Sequence, residues 1–167
     1  MDSVLIRRVR GEDRKGCCGV EAACFPQEEA ASPAAIADRI RIFPEGFYVA
    51  EALDRGTSVI AGMVNSGATD KGDITDEAFK QLVGHDPDGE NMVVFSLSVR
   101  PEWRGCGIAW RLMERFAEES RKLGKQRILL LCKEHHVVFY RRLGFAHGGL
   151  SVSTHGGAAW HEMCREL

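Results

Sequence analysis

A stretch around two closely spaced glycines has the residue types that could hold a phosphorylated ligand. An apolar strand pattern ends at Val99, the following turn contains Gly105 and Gly107, and a long amphipathic helix pattern comes next. Glycine lets a backbone approach a ligand, and the first amides of a helix have no helical partners. With the helix dipole, these amides could bind a pyrophosphate, and Arg104 could add a charged contact. The spacing is neither a Walker A loop nor a full Gly-x-Gly-x-x-Gly fingerprint, so a tight turn without a ligand is an equal interpretation.

Side chains that can carry a proton form the second set of candidates. The phenol of Tyr140 could donate a proton to a leaving group, although a core tyrosine with a paired hydroxyl fits the sequence as well. The candidate bases, none preferred over the others, are His85, Asp86, Glu90, His135, His136 and His155. Each of them also fits a solvated surface position. The residues themselves therefore assign no base.

Composition excludes several classes of protein. None of the six cysteines has a C-x-x-C partner, so we expect free thiols in a reducing compartment and no metal site. The residues Met1–Arg8 lack the apolar stretch typical of a signal peptide, and no window approaches the roughly 20 apolar residues of a membrane span. The formal net charge of -2 argues against nucleic acid or an anionic membrane as the main partner. We expect a cytoplasmic protein.

The first half of the chain predicts a strand, two helices and a hairpin. The expected ranges are a strand at Val4–Val9, helices at Arg14–Cys24 and Pro33–Ile42, and hairpin strands at Phe47–Ala50 and Ser58–Val64. Ser32 is the expected N-cap of the second helix, with Pro33 at its first position. In the first helix, Val20 and Ala23 are expected to face the core. A further helix is expected around Thr75–Val83, within an otherwise polar segment.

The second half of the chain has stronger patterns. The expected ranges are strands at Asn91–Val99 and Arg127–Cys132, helices at Gly107–Leu123 and Val137–Leu143, and two final strands joined by a loop around residues 155–157. The long helix has an apolar stripe through Ile108, Leu112, Phe116 and Leu123, and Gly124 is expected to close it. The order of elements predicts an α/β (α+β) fold in a single domain, residues 1–167, with a mixed sheet and helices on both faces.

Two signatures resemble the GNAT superfamily of N-acetyltransferases. Arg104–Ala109 fits the pyrophosphate motif Arg/Gln-x-x-Gly-x-Gly/Ala of that superfamily, and Phe139–Phe145 matches its Phe-Tyr-x-x-x-Gly-Phe signature. In addition, Phe95–Pro101 resembles its fourth strand, whose backbone pairs with the pantetheine arm of coenzyme A. Both signatures in the right order are more specific than either alone. The resemblance implies a GNAT fold, a mostly antiparallel sheet of about seven strands with helices on both faces.

The resemblance also implies an enzyme that transfers an acetyl group from acetyl-CoA to an amine without a metal. The acetyl-CoA-binding residues that it implies are Leu97, Ser98, Val99, Arg104, Gly105, Cys106, Gly107, Ile108, Ala109 and Trp110. A backbone N–H of the fourth strand, near Leu97, would stabilise the oxyanion. Tyr140 would be the catalytic residue that protonates the departing thiolate.

Within the superfamily, the chain is most similar to the arylalkylamine (serotonin) N-acetyltransferases. Leu130–Glu134 resembles a Leu-Met-Cys-Glu-Asp stretch of that group, Trp160–Leu167 resembles its C-terminal segment, and Glu21–Phe43 resembles its amine-binding loop. The similarity extends over nearly the whole chain. It implies a small arylalkylamine as the acceptor and a protein that is a monomer or a homodimer.

The chain differs from this group at the two positions that would supply the general base. The arylalkylamine enzymes carry two histidines on the fourth strand, and the corresponding residues here are Val93 and Phe95, which cannot take a proton. A water chain or an amine that arrives neutral could replace them. The acceptor could also be a protein N-terminus or another metabolite. A non-catalytic acyl-CoA-binding module is the alternative from another class, although such a module would not need Tyr140.

Overall fold

The structure is a computed structural model that describes residues 3–153 and 155–167. Its strands are β1 (Leu5–Arg8), β2 (Tyr48–Asp54), β3 (Thr57–Thr69), β4 (Asn91–Val99), β5 (Arg127–Cys132), β6 (Ala146–Leu150) and β7 (His161–Glu166). Its α-helices are α1 (Arg14–Cys24), α2 (Pro33–Ile42), α3 (Ile108–Lys122) and α4 (Val137–Arg142). Among the helices described, none is long and apolar enough to cross a membrane.

The strands form one mixed, mostly antiparallel sheet. The sheet has seven strands in the order β1-β2-β3-β4-β5-β7-β6. β4 and β5 pair in parallel, whereas β1–β2, β2–β3, β5–β7 and β6–β7 are antiparallel. The predicted α/β sheet of about seven strands is therefore confirmed. The ladder between β4 and β5 pairs Asn91–Val94 with Arg127–Leu130, so the residues of β4 from Phe95 onward lie beyond that ladder.

The described residues divide into two compact units. The first comprises the residues up to Ser66 together with Ser96–Phe116, and the second comprises Gly67–Phe95 together with Ala117–Leu167. β3, β4 and α3 each contribute residues to both units. The single domain expected from the sequence stays a prediction.

In the first unit, α1 and α2 lie where the sequence predicts them. Ser32 caps α2, because its Oγ accepts the Ala35 N–H at 3.1 Å. Ala23, expected in the core, is exposed. The buried residues of α1 include Cys17 and Val20, and at 100° per residue Ala23 points well away from the face that they define.

A buried ion pair anchors β1 in the same unit. The guanidinium of Arg7 donates to both carboxylate oxygens of Asp13, at 2.8 and 2.9 Å. The Arg10 N–H donates to the same carboxylate at 2.7 Å. Burial favours the neutral acid, but the bonds from Arg7 and Arg10 outweigh it and hold the pKa of Asp13 below its usual value. The pair stabilises the segment between β1 and α1.

β3 is longer than the sequence indicates. It continues to Thr69 instead of ending at Val64. The added residues include Asn65 and Ser66, which are fully buried although they are polar. Ser66 donates to the Gly46 carbonyl at 2.8 Å, so its polar group is satisfied by a residue far away in the chain.

The second unit contains the remaining differences from the prediction. The helix expected at Thr75–Val83 is only a 3-10 helix at Glu77–Gln81, and it ends where Leu82 takes a φ of 64°. α3 ends at Lys122, so Leu123 lies in the closing turn and is 45% exposed instead of extending the apolar stripe. Gly124 does close the helix, with a φ of 79°.

Candidate active site

In the first unit, the turn between β4 and α3 is open to solvent. Arg104–Gly107 are all exposed. Gly105 and Gly107 have φ values of 84° and 82°, and a Cβ added at either glycine would meet no heavy atom within 4 Å. The two glycines therefore present bare backbone beneath an open space.

The start of α3 offers backbone donors at this turn. The first helical hydrogen bond runs from the Arg111 N–H to the Gly107 carbonyl, at 3.0 Å. The preceding amides, of Ile108, Ala109 and Trp110, have no carbonyl four residues back within the helix. The side chain of Ile108 is buried whereas Trp110 is 54% exposed, so a ligand could meet the backbone of the first and the side chain of the second. The turn fits a pyrophosphate, which prefers such amides and the positive end of a helix dipole.

Side chains hold the turn in this conformation. Arg104 Nε donates to the Val99 carbonyl at 2.9 Å. Cys106 Sγ donates to the Trp103 carbonyl at 2.9 Å, and the Trp103 N–H donates to the Arg100 carbonyl at 2.9 Å. The turn is thus ordered by its own contacts, and Arg104, expected only as a phosphate contact, also connects the turn to the end of β4.

The predicted residues Leu97, Ser98 and Val99 form the last part of β4. Leu97 is half-buried, whereas Ser98 and Val99 are buried. All three lie beyond the ladder with β5, which ends at Val94. The sheet pairing to β5 therefore does not use the backbone that the GNAT resemblance assigns to the pantetheine arm.

A buried carboxylate contacts the same part of β4, and the sequence did not predict it. Glu21 of α1 is 4% exposed, and its two oxygens accept the Ser96 hydroxyl at 3.1 Å and the Ala31 N–H at 2.8 Å. Ser96 and Ser98 share a hydrogen bond of 2.9 Å. Glu21 thereby connects α1, the loop before α2 and β4. The signal for it in the sequence is the helical spacing of four residues between Cys17 and Glu21, which places both on one face of α1.

The first unit also contains a second buried polar contact, between Arg39 and Asn65. Arg39 is 3% exposed, and its guanidinium donates to Asn65 Oδ1 at 3.0 Å. Burial lowers the pKa of Arg39 to about 10, and the charge of Glu21 acts in the opposite direction. The first unit therefore holds a cation and a carboxylate away from water.

In the second unit, Tyr140 lies on α4 in an aromatic cluster. Its ring makes edge contacts with Phe139 and Phe145, at centroid distances of 5.2 and 5.5 Å. Burial raises the pKa of Tyr140, and the nearby Cys132 adds to the shift. The phenol therefore keeps its proton at neutral pH, as a proton donor must.

The structure separates the candidate bases from one another. His85 Nδ1 accepts the Ala68 N–H at 3.0 Å, so that nitrogen is used to hold the end of β3. His135 and His136 are exposed, with their rings 4.0 Å apart. Asp86 and Glu90 are exposed. His155 differs from all of these, because its Nδ1 lies 2.8 Å from a carboxylate oxygen of Glu77.

The two β4 positions that carry histidines in the arylalkylamine enzymes have apolar surroundings. Val93 is 5% exposed. The Phe95 ring contacts Phe79 edge-on at 5.3 Å, and a Cβ on Gly67 would lie 2.9 Å from it. β4 therefore carries no proton acceptor at either position. Among the described residues, no group of three or more His, Cys, Asp or Glu side chains could hold a metal ion.

Comparison with known proteins identifies one family and several relatives. Residues 15–145 match the acetyltransferase (GNAT) family. The chain is 35% identical over 105 residues to mycothiol acetyltransferase of Thermobifida fusca (strain YX), covering 61% of this chain and 29% of that protein. It is 26% identical over 132 residues to the probable hydrolase YhcX of Bacillus subtilis (strain 168), covering 76% of this chain and 25% of that protein. The chain thus spans less than a third of the length of either relative.

A solved structure shares the fold over nearly the whole chain. The GNAT-like decarboxylase GphF, in complex with isobutyryl-CoA, has a TM-score of 0.81 at 20% identity, covering 97% of this chain and 98% of that chain. At this identity the likeness concerns the fold alone. Because the family match over residues 15–145 includes both the glycine turn and the Tyr140 helix, the chain belongs to the acetyltransferase (GNAT) family.

Proposed function

We propose that this chain is an N-acetyltransferase that moves the acetyl group of acetyl-CoA to the primary amine of a small molecule. The observation that carries the proposal is the exposed turn before α3, where Gly105 and Gly107 hold positive φ beneath open space. Two comparisons support it, a relative that is an acetyltransferase and a structural neighbour that binds an acyl-CoA. The GNAT family match supports the same donor.

The cofactor-binding roles are proposed from the turn and from β4. Acetyl-CoA supplies an acetyl group activated as a thioester. The backbone of Gly105–Ala109 binds the pyrophosphate, with Trp110 beside it at the start of α3. Leu97–Val99 bind the pantetheine arm through their backbone, and the N–H near Leu97 donates to the oxygen that gains charge. Arg104 holds the turn through Val99 and adds positive charge.

Tyr140 is proposed as the proton donor to the departing thiolate. Burial raises its pKa, so the phenol is protonated throughout the neutral range. A protonated phenol can give its proton as negative charge develops on sulfur. In this role the phenol acts on the substrate, while the ring packs against Phe139 and Phe145.

The acceptor is proposed to be a small primary amine, with arylalkylamines as the first class to test. The resemblance of Glu21–Phe43 to an amine-binding loop supports this class. We assign the rings of Phe43, Phe47 and Tyr48 to the core and not to the acceptor pocket, because each residue is at most 2% exposed. We further propose that residues 1–167 act as one cytoplasmic domain, as a monomer or a homodimer.

The proposal is tested by following released thiol when the chain is incubated with acetyl-CoA and a panel of amines. The panel contains tryptamine, phenethylamine, a polyamine, an amino sugar and a short peptide, with a reaction lacking amine as the control. We expect amine-dependent thiol release, fastest with an arylalkylamine, and an acetylated product by mass spectrometry.

The outcomes separate the candidate acceptors. Turnover with only the peptide, the polyamine or the amino sugar would support the acetyltransferase activity but contradict an arylalkylamine as the acceptor. Thiol release at the no-amine rate across the panel, together with tight acetyl-CoA binding, would show a non-catalytic acyl-CoA-binding module and overturn the proposal.

A further inference from the structure

Outside the residues proposed for acetyl-CoA, the second unit contains a histidine–carboxylate pair. His155 Nδ1 lies 2.8 Å from Glu77 Oε2. His155 belongs to the turn between β6 and β7, and Glu77 opens the 3-10 helix at Glu77–Gln81. A carboxylate that accepts the Nδ1 proton of an imidazole places the lone pair on Nε2 and orients the ring.

Both members of the pair are held by further contacts. The Ser153 hydroxyl donates to Glu77 Oε1 at 3.2 Å, so the carboxylate uses one oxygen for Ser153 and the other for His155. The indole N–H of Trp160 donates to the His155 carbonyl at 2.9 Å. The rings of His155 and Trp160 are 6.1 Å apart. Neighbouring residues therefore hold both the backbone of His155 and the Nδ1 atom of its imidazole.

The pair lies at the same end of the β5–β7 ladder as Tyr140. Trp160 immediately precedes His161, and His161 pairs with Cys132, the last residue of β5. α4, which carries Tyr140, begins five residues after Cys132 and packs against β6 and β7. The oriented imidazole and the helix of the protonated phenol are thus both connected to this end of the ladder, one as a proton acceptor and the other as a proton donor.

Two segments of the described chain contribute charged groups near His155, the 3-10 helix and the residues directly after β5. Glu77 and Lys80 lie on the 3-10 helix, where their carboxylate and ammonium are 4.0 Å apart. Lys80 and Lys133, the latter directly after β5, each have Nζ 5.8 Å from the Trp160 ring centroid. The Glu77 carboxylate contacts the imidazole directly, and both ammonium groups lie over the neighbouring indole.

We propose that His155 is the general base that removes the proton from the incoming amine, and that Glu77 is its positioning residue. The proposal rests on the proposed acetyltransferase function and names the base that β4 lacks. An alkylamine with a pKa near that of lysine, about 10.4, is neutral in only about one molecule in 2,500 at pH 7. Nearly all of the amine is therefore the ammonium form at pH 7, and a base beside the acceptor could convert it to the reactive neutral form.

The proton balance of the step is complete. The ammonium loses two protons on becoming an amide. His155 Nε2 takes the first, as the ammonium N–H bond breaks and an imidazole N–H bond forms, and it releases this proton to solvent. Tyr140 gives its phenol proton to the departing thiolate. The second proton lost from the amine nitrogen then returns to the Tyr140 oxygen. No oxidant or reductant takes part.

The test compares the pH dependence of kcat/KM for the wild type, His155→Gln, Glu77→Gln and the control His135→Gln. His135 is an exposed histidine of the same unit. Acetyl-CoA binding and thermal unfolding are measured for every variant, so that a folding defect is recognised. Each variant is assayed with an alkylamine and with a weakly basic fluorinated ethylamine, which is largely neutral at pH 7.

For the alkylamine at neutral pH, we expect His155→Gln to lower kcat/KM by about 10²-fold or more. The loss should shrink at high pH and with the weakly basic amine, because in both cases the amine is already largely neutral and no ammonium has to lose its first proton to a base. Glu77→Gln should lower kcat/KM by a smaller factor, because the imidazole stays but loses the carboxylate that orients it. This loss should also shrink with the weakly basic amine, since Glu77 acts only through the base. His135→Gln should match the wild type.

Two results would overturn the inference. One is a His155→Gln enzyme that keeps the wild-type pH profile while turning over the same amine. The other is a Glu77→Gln enzyme whose kcat/KM matches the wild type with both amines, which would show that the carboxylate does not position the imidazole. Absence of turnover by the wild type with every amine would instead refute the acetyltransferase function, and with it the base.

Discussion

Replacing Tyr140 by Phe removes a single oxygen from the proposed site. The ring contacts with Phe139 and Phe145, at 5.2 and 5.5 Å, do not involve that oxygen and should remain. Loss of one buried hydroxyl costs about 1 kcal/mol at most when its partner is not a charge. For a chain of this size, that corresponds to a fall in Tm of about 2–4 °C.

The expected catalytic cost is much larger. Loss of a general acid typically lowers the rate by about 10²- to 10⁴-fold, which is about 3–5 kcal/mol of transition-state stabilisation. Tyr140→Phe should therefore lose most of kcat while it stays folded and binds acetyl-CoA with unchanged Kd. The raised pKa of Tyr140 also means that its contribution to folding is present below pH 10 and is lost as the pH rises further.

The assay measures thiol release for kcat and calorimetry for acetyl-CoA binding. Phe139→Leu is the matched control, since it alters the same ring cluster but leaves the hydroxyl in place. A Tyr140→Phe enzyme with kcat within about threefold of the wild type would refute the role of the phenol. Equal losses of kcat in both variants would show that the cluster matters only for packing.

Three further predictions concern binding and stability. Gly107→Ala should weaken acetyl-CoA binding about tenfold or more, because the added Cβ would enter the open space over the amides that would hold the charged pyrophosphate. Gly124→Ala is the control, since it has a similar φ of 79° and about 1–2 kcal/mol of strain but lies at the end of α3, and it should bind nearly normally; calorimetry showing equal losses would contradict the role of the turn. Asp13→Asn should cost roughly 3 kcal/mol by leaving the buried guanidinium of its partner without this carboxylate. Because the pKa of Asp13 is held below 3.8, its contribution is present above that pH and is lost below it, so the two unfolding free energies should converge in acid. Gly46→Ala would put a Cβ 2.5 Å from a buried phenyl ring and should cost about 1–3 kcal/mol in urea unfolding, whereas Gly11→Ala, with open space, should cost less.

The sequence by itself determined the local structure well. Ser32 and Pro33 correctly predicted the start of α2, and the strands Asn91–Val99 and Arg127–Cys132 have the predicted bounds. Gly144, which directly follows the helix predicted at Val137–Leu143, has a φ of 87°. Caps, turns and runs of apolar residues act over a few neighbours, so their signals are complete within the sequence that carries them.

The motifs determined the family but not the surroundings of their residues. Arg104–Ala109 and Phe139–Phe145 were sufficient to indicate a GNAT fold, which the family match and the sheet order confirm. Exposure was less predictable. Ala23 and Leu123 fit apolar patterns but are exposed, because only the packed structure decides which side of a helix faces the core and where the helix ends.

Only the tertiary structure decided which polar groups meet. Glu21 accepts a hydrogen bond from Ser96, 75 positions later in the chain, and His155 lies 2.8 Å from Glu77. In the sequence, these residues are isolated carboxylates, a serine and a histidine without a partner. Their contacts depend on the packing of elements that are distant in the chain, and no local pattern records that packing.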